Sequence, residues 1–488
     1  MKKISACLLL SGLVSAALAQ TNAPTRALSL QDCIAAAIQD NFDVRIERYE
    51  PEKAQLTLTE AYAGYEPTLS MSGTHSHNNA SGLITTNNYG LGITEENSFS
   101  TSLGGSLPSG TTYSLFGNVA DTYEPSPESA GGQVGVQVTQ PLLKNLWIDS
   151  TRLGITAAKS QVKLSEQALR QQLITTVTAV ETAYYELIYA IDNVEVERQA
   201  LALAQTQLDQ DRQRVQFGSL APLDVQQDES QVAQSRADLI AAISTRDTDQ
   251  RVLKNLITDE YSKWHATDIQ PTMTLNAVLE PFDLQDSWGK GLTQRPDLLE
   301  ARLNLTLQGI QLKYDRNQVY PELDLVGSFG YNGAGYGYRD TFDDYGAGNR
   351  PFYTYGAQIS MPLSNLKARS AYQADKATEK QLLLKLKQLE QMIMVEIDNA
   401  IGVARSDYES VEATKQARVY AEAALDAEQK KYAVGKSTTF TVLQLQNKLT
   451  AARSAELRAL ANYHQAVASL AQQEGSTLQR RNVDLTVK

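Results

Sequence analysis

Cysteine, histidine and long apolar runs are all scarce in this 488-residue chain: two Cys and four His in total. Two Cys exclude a disulfide framework or an array of zinc fingers. Beyond the first 20 residues no apolar stretch approaches the roughly 20 residues of a membrane helix, so any bilayer crossing would have to be a β-barrel. Basic residues are outnumbered, 44 Lys and Arg against 56 Asp and Glu, for a net charge of −12. An acidic chain without a basic block is a poor nucleic-acid binder, so no nucleic acid is expected as a partner. With 42% hydrophobic and 20% charged residues, the composition excludes a disordered chain. Catalytic patterns are missing too: there is no phosphate loop, nucleophile elbow or His-Glu-x-x-His zinc motif. His75 and His77 could share a strand face, but no third His lies near them in sequence. No cofactor, metal or enzymatic activity is expected.

The N-terminus reads as an address. Lys2 and Lys3 precede an apolar run, and Ala17-Leu18-Ala19 offers small residues for cleavage before Gln20, so 1–19 is expected to be a secretory signal peptide. Removing it leaves one Cys, Cys33, read as a buried small residue on a helix.

The remainder repeats itself. Leu30-Gln31-Asp32 recurs as Leu284-Gln285-Asp286, and at the same offset of 254 Pro67, Leu69 and Gly73 meet Pro321, Leu323 and Gly327. Later matches pair Pro141-Leu142 with Pro362-Leu363, and Gly218 with Gly435. We read a tandem duplication: residues 20–260, residues 261–475, and a C-terminal tail at 476–488. Each copy runs helix, β-region, long helix, turn, helix.

The long helices follow from the absence of breakers. Neither Gly nor Pro occurs from Ile155 to Phe217, and only Gly402 interrupts Leu366 to Val434. Each would be about 95–105 Å long and needs partner helices along its length. Those partners come as half-length segments, Leu223 to Ile257 with Ser287 to Val319, and Phe440 to Glu474 with Ser29 to Gly64. Gly218 ends one long helix and Pro222 opens the next; Gly435 ends the other, with Ser437, Thr438 and Thr439 as N-cap candidates.

Residues 69–141 contain no Lys or Arg and alternate apolar with polar, as in Val134, Val136 and Val138; residues 323–362 also alternate, as in Leu323, Leu325, Phe329 and Tyr331. Tyr331, Tyr336, Tyr338, Tyr345, Tyr353 and Tyr355 cluster as an interfacial aromatic girdle would. Two strands per copy make four per chain, too few to close a barrel, so several copies would have to share one. The first β-region is longer by 33 residues, which could form a hairpin above the membrane or two further strands.

The helix-to-strand junctions Tyr65-Glu66-Pro67-Thr68-Leu69 and Val319-Tyr320-Pro321-Glu322-Leu323, the strand-to-helix junctions Gln140-Pro141-Leu142 and Met361-Pro362-Leu363, and the turns 217–225 and 432–437 stand in one order. That ordered set resembles the TolC-type outer membrane efflux protein family, nearly end to end. The resemblance implies an α+β membrane protein, with duplicated helical hairpins forming a trimeric α-barrel. Four or more strands per chain would enter a shared 12-stranded barrel in the outer-membrane lipid of a Gram-negative bacterium, above a periplasmic extension. It implies a homotrimeric exit duct for efflux or type I secretion, docked to a periplasmic adaptor and an inner-membrane pump. By matching of the turns, the docking contacts would be Phe217, Gly218, Ser219 and Leu220 with Val434, Gly435, Lys436 and Ser437. Asp224 matches an acidic gate position of the family, Asp228 lies one turn beyond it, and Thr441 and Gln444 stand where further acidic residues would be expected. The competing reading is a coiled-coil scaffold of the periplasm or cell surface, which would have no need of the Tyr-rich strands.

Overall fold

The structure, a computed structural model, describes residues 25–80, 92–124, 128–218 and 220–483. The expected signal peptide lies outside the described residues. In chain order the elements are β1 (Thr25–Leu28), α1 (Leu30–Asp40), α2 (Phe42–Glu47), α3 (Tyr49–Tyr62), β2 (Thr68–Ala80), β3 (Gly92–Ser106), β4 (Thr112–Glu124) and β5 (Ser129–Pro141). Then follow α4 (Ser150–Gln216), α5 (Pro222–Ile257), α6 (Tyr261–Trp264), β6 (Asp268–Pro271), α7 (Leu284–Gln294), α8 (Pro296–Gln318) and β7 (Glu322–Gly335). The chain finishes with α9 (Tyr338–Ala347), β8 (Pro351–Ser360), α10 (Leu366–Ala433), α11 (Thr439–Glu474) and α12 (Thr477–Arg480).

The two long helices, α4 of 67 residues and α10 of 68, lie where the absence of Gly and Pro requires them. Two segments read as continuous helices are broken instead. The first half-length segment stops at Asn41 and the other at Arg295, both extended residues and 254 apart. Pro296 explains the second break, because the residue before a proline is driven out of the helical region and Pro then opens α8. Upstream of each break a side chain caps the helix: Ser29 accepts from the Asp32 amide in a reciprocal capping box, and Asp283 accepts from the Gln285 amide.

The chain divides into two compact units, each drawing on both sequence repeats. One comprises residues up to 42, 176–280 and 403–469. Within it β1 and β6 pair in parallel, and the Tyr184 hydroxyl donates to the Leu28 carbonyl (3.0 Å) and accepts from the Thr272 amide (3.2 Å). Cys33 is fully buried on α1, and burial pushes its thiol up to about 12. Arg458 holds Glu186 through two bonds of 2.8 and 2.9 Å, and Gln465 donates a third of 2.9 Å. Burial alone would raise the Glu186 carboxyl; these bonds outweigh it and hold the group below the usual range.

The other unit, 43–175, 281–402 and from 470 onward, contains the sheet and a separate helical core. Leu298, Ile393, Ile397, Ile401 and Leu470 form that core, with Trp288 against it. The Trp288 indole N–H donates to the Met394 carbonyl (3.0 Å). At the Arg295 break the guanidinium bonds Asp297 (2.7 Å) and Glu396 (2.6 Å), tying α8 to α10.

Six strands form one antiparallel sheet in the order β2-β3-β4-β5-β7-β8. The extra length of the first β-region therefore extends the sheet: four strands come from it and two from the second. Four or more strands per chain were expected, and six are present among the described residues. Directly opposed residues share a face. Through the registers Leu69↔Leu103↔Leu115↔Val136↔Phe329↔Tyr353, one face is apolar across all six strands. The other carries Ser70, Ser72, Ser100, Ser114, Asn118, Gln137, Ser328 and Thr354, and is bonded by pairs such as Ser72 to Ser100 (2.7 Å). Away from α9 the apolar face is bare: Tyr353 is 72% exposed and Tyr355 85%.

The segment between β7 and β8, read as strand and loop, contains helix α9. It rests on the apolar face, where glycines make room. A Cβ at Gly333 would stand 2.6 Å from the Tyr345 ring, and one at Gly335 2.3 Å from the Asp340 Cβ. Tyr345 and Tyr338 donate to the carbonyls of Asn118 (2.8 Å) and Asn97 (3.0 Å).

Truncating Ile397 to Ala empties the centre of the α8–α10 cluster and should cost about 2–5 kcal/mol. Denaturant unfolding in detergent reads this directly; a change below about 0.5 kcal/mol would show that the cluster does not hold this unit together.

Candidate functional site

The two helix turns, α4–α5 and α10–α11, belong to one compact unit. Each depends on a glycine with positive φ, Gly218 (+71°) and Gly435 (+74°), a conformation that side chains resist. At the second turn the Lys436 amide donates to the Lys431 carbonyl (2.9 Å) and the Gly435 amide to that of Tyr432 (3.1 Å), the paired closure of a helix C-terminus. Pro222 opens α5, as expected. Of the three N-cap candidates, Thr438 caps α11, its hydroxyl accepting from the Thr441 amide (3.4 Å). Ser437 turns back instead and donates to Glu428 (2.5 Å).

Phe217 (86% exposed), Val434 (67%), Gly218, Gly435 and Lys436 all stand open to solvent; Leu220 is partly buried, and Ser219 lies outside the described residues. Leu223 and Phe440 are equally open. Both were missed in the sequence, although each sits one residue inside the helix that follows its turn. Exposed in this way, these apolar side chains contribute little to the packing of the turns.

Behind the turns lies a buried polar hub. Asp211 of α4 is 0% exposed and accepts from the Tyr432 hydroxyl (2.6 Å), the Gln207 amide (2.8 Å) and the Thr439 hydroxyl (3.3 Å), with Arg214 at 3.8 Å. The Arg214 guanidinium also stacks over the Tyr432 ring at 4.3 Å. Burial, reinforced by the Asp211 carboxylate, pushes the Tyr432 phenol up to about 12, so it remains a donor. One carboxylate thus joins α4, α10 and α11. Its position was legible only in part: Asp211 precedes Gly218 by two helical turns and Tyr432 precedes Gly435 by one, but spacing along a helix does not reveal which faces meet.

Of the expected gate residues, Asp224 lies half-buried in the first turn of α5 and Asp228 is buried beside Asp211. Among the described residues no donor reaches either Asp228 oxygen. Burial first, then the Asp211 and Asp224 carboxylates, push Asp228 up to about 7. Thr441 and Gln444 lie on α11, where the Thr441 hydroxyl meets that of Thr438 at 3.0 Å. Gln231 of α5 and Asn447 of α11 exchange two amide bonds (2.7 and 3.0 Å). Bonds from Arg453 to Glu422 (2.7 Å) and Gln199 (3.1 Å) join α11 to α10 and α4.

On the sheet, His75 and His77 flank Glu95, with His75 Nε2 at 3.4 Å and His77 Nδ1 in contact. Among the described residues no group of three or more ligands has metal-binding geometry.

Known proteins share this fold. Residues 33–258 and 289–476 match the outer membrane efflux protein family. The chain belongs to that family. TolC of Escherichia coli K12 is 25% identical over 307 residues, 59% of this chain and 59% of its own length, so the chain matches less than two thirds of that relative. TolC of Vibrio cholerae is 25% identical over 368 residues, 72% of this chain and 78% of its own. Among solved structures, the outer-membrane protein VceC of Vibrio cholerae superposes with a TM-score of 0.68 at 17% identity, covering 91% of this chain and 96% of VceC. The Campylobacter jejuni channel CmeC gives 0.67 at 15%, covering 94% and 90%. These structural likenesses establish the fold; membership establishes an efflux-channel family of the Gram-negative outer membrane.

Two outcomes follow. Replacing Tyr432 by Phe leaves buried Asp211 short of a donor and should cost about 1–3 kcal/mol, read as a lower unfolding midpoint; an unchanged midpoint would remove the hub from the account. Asp228, with its carboxyl raised above the ordinary 3.8, favours the folded turns while protonated in them. That contribution is complete below about pH 4 and is lost as pH rises through about 7. Asp228→Asn should therefore raise the melting temperature at pH 8 by about 2 °C. The gain should shrink towards pH 5, and a gain independent of pH would rule out titration of Asp228.

Proposed function

We propose that the protein is the passive exit duct of a tripartite efflux or type I secretion system, assembled as a homotrimer. Two sequence repeats, 20–260 and 261–475, would each supply strands to a shared outer-membrane barrel and a hairpin to a periplasmic α-barrel. The observation that carries the reading is the sheet: one bare apolar face, one polar face, and unpaired edges at β2 and β8. In hydrocarbon an unpaired edge is prohibitively costly, and neighbouring copies pairing edge to edge remove it. The polar face then lines the lumen. Transport along such a duct needs no bond chemistry, and the pump supplies the energy.

The turns are the proposed docking surface for a periplasmic adaptor that links the duct to an inner-membrane pump. Exposed Phe217, Val434, Leu223 and Phe440 support it, with Gly218, Ser219, Leu220, Gly435, Lys436 and Ser437 as the remaining turn positions. Asp224 is the proposed cation-attracting gate residue, because threefold symmetry would bring three copies together and focus their field. Thr441 and Gln444 would line the same level, and Asp228 would act from within through the Asp211 hub.

Single-channel recording in planar bilayers tests the duct. Discrete cation-blockable conductance is expected, and Asp224→Ala should weaken block by divalent cations several-fold; unaltered block would remove Asp224 from the gate. Charging the turns with Phe217→Glu and Val434→Glu should abolish cross-linking to the adaptor while conductance persists. A chain recovered in the soluble fraction, without conductance, would favour the coiled-coil scaffold.

A further inference from the structure

Helix α9 does not seal the surface beneath it. A cavity of about 660 Å³ opens between α9 and the sheet, within the range of small-ligand pockets. Its walls include Met71, Phe99, Val119 and Val134 from four adjacent strands, and its roof is Phe342 and Tyr345 of α9. Gly73 and Gly117 leave the floor without side chains. Every one of the strand residues just named lies on the apolar face, by the registers Met71↔Thr101↔Gly117↔Val134 and Gly73↔Phe99↔Val119. A concave, carbon-lined pocket on that face is open to whatever solvates the face.

We infer that this pocket holds one acyl chain of a zwitterionic glycerophospholipid, with α9 as a clasp over it. The inference rests on the membrane-barrel reading, which makes hydrocarbon the medium around the apolar face. Two features select the lipid. The rim is acidic: Asp344 of α9 pairs with Arg350 (3.2 Å), which leaves Asp340 and Asp343 against a single basic residue, Arg339. From residue 69 to residue 141 there is no Lys or Arg to receive a phosphate. That charge distribution suits an ammonium headgroup and disfavours a lipid bearing several exposed phosphates. Phe342 and the tyrosines of α9 give the clasp the amphipathic character of residues at a bilayer interface.

Gly117 supplies the probe. A Cβ there would lie 3.5 Å from the Thr101 methyl and 3.9 Å from that of Val134, ordinary contact distances, so a larger side chain grows into the cavity without disturbing the backbone. The full-length protein would be extracted from outer membranes, stripped of lipid in detergent, and incubated with dioleoyl-phosphatidylethanolamine, with bound lipid counted by native mass spectrometry. One lipid retained per chain is expected. Gly117→Leu should reduce retention at least tenfold, while Tyr355→Leu, on the same face away from the pocket, should leave it unchanged. Phe342→Asp, on the exposed clasp, provides a second variant that leaves the sheet untouched and should also lose the lipid. Equal retention by wild type and both pocket variants would overturn the inference, as would preferential retention of purified lipopolysaccharide. Failure to recover the chain from the outer membrane would refute the barrel reading itself, whereas a membrane oligomer that ignores the lipid refutes only the pocket.

Discussion

Backbone hydrogen bonding at the ends of one sheet is the constraint on which the rest depends. Among the described residues six strands pair in antiparallel registers, with one shift at Glu95/Glu96, and the outer edges of β2 and β8 have no partner. In water such edges are tolerable; beside a bare apolar face that belongs in hydrocarbon they are not. The sheet is therefore incomplete as a single chain, and its completion by further copies is the physical basis of the proposed assembly. The alternation of Ser, Thr, Asn and Gln with Leu, Val, Phe and Tyr gives that assembly an inside and an outside.

The helical turns solve a different problem. Each must end a helix of nearly seventy residues and begin another within a few residues, which Gly218 and Gly435 achieve by positive φ. The chain then buries a carboxylate just behind them. Asp211 is satisfied by donors from three helices, whereas Asp228 beside it has none among the described residues. The bonds to Asp211 tie α4, α10 and α11 together, while the buried Asp228 carboxyl beside it costs stability when charged.

Much of this was legible in the sequence because it rests on local rules. Sixty-three residues without Gly or Pro can hardly be anything but helix, and period-two alternation without a single basic residue indicates a membrane strand. The junction prolines and turn glycines fixed the boundaries of α4, α5 and α10 to within a few residues. What escaped depended on tertiary context. The break at Arg295 carried a local sign in Pro296 that the helical periodicity overrode, and the break at Asn41 carried none. Helix α9 hid among tyrosines and glycines that read as strand, since its stability comes from glycines on β5 and β7 that let it approach. Asp211 looked like one more solvated acid on a helix rich in charge, because the faces that pair around a hairpin are set by supercoiling that spacing alone does not give. The family resemblance supplied the turn and gate positions, and the structure adds the hub behind them.

The most direct test of the central claim is the native mass of the chain extracted in detergent from the outer membrane. The account predicts a trimer near 3 × 53.6 ≈ 161 kDa, slightly less once any signal segment is removed. A soluble monomer or dimer would mean that the edges of β2 and β8 are not joined across copies, and would contradict it.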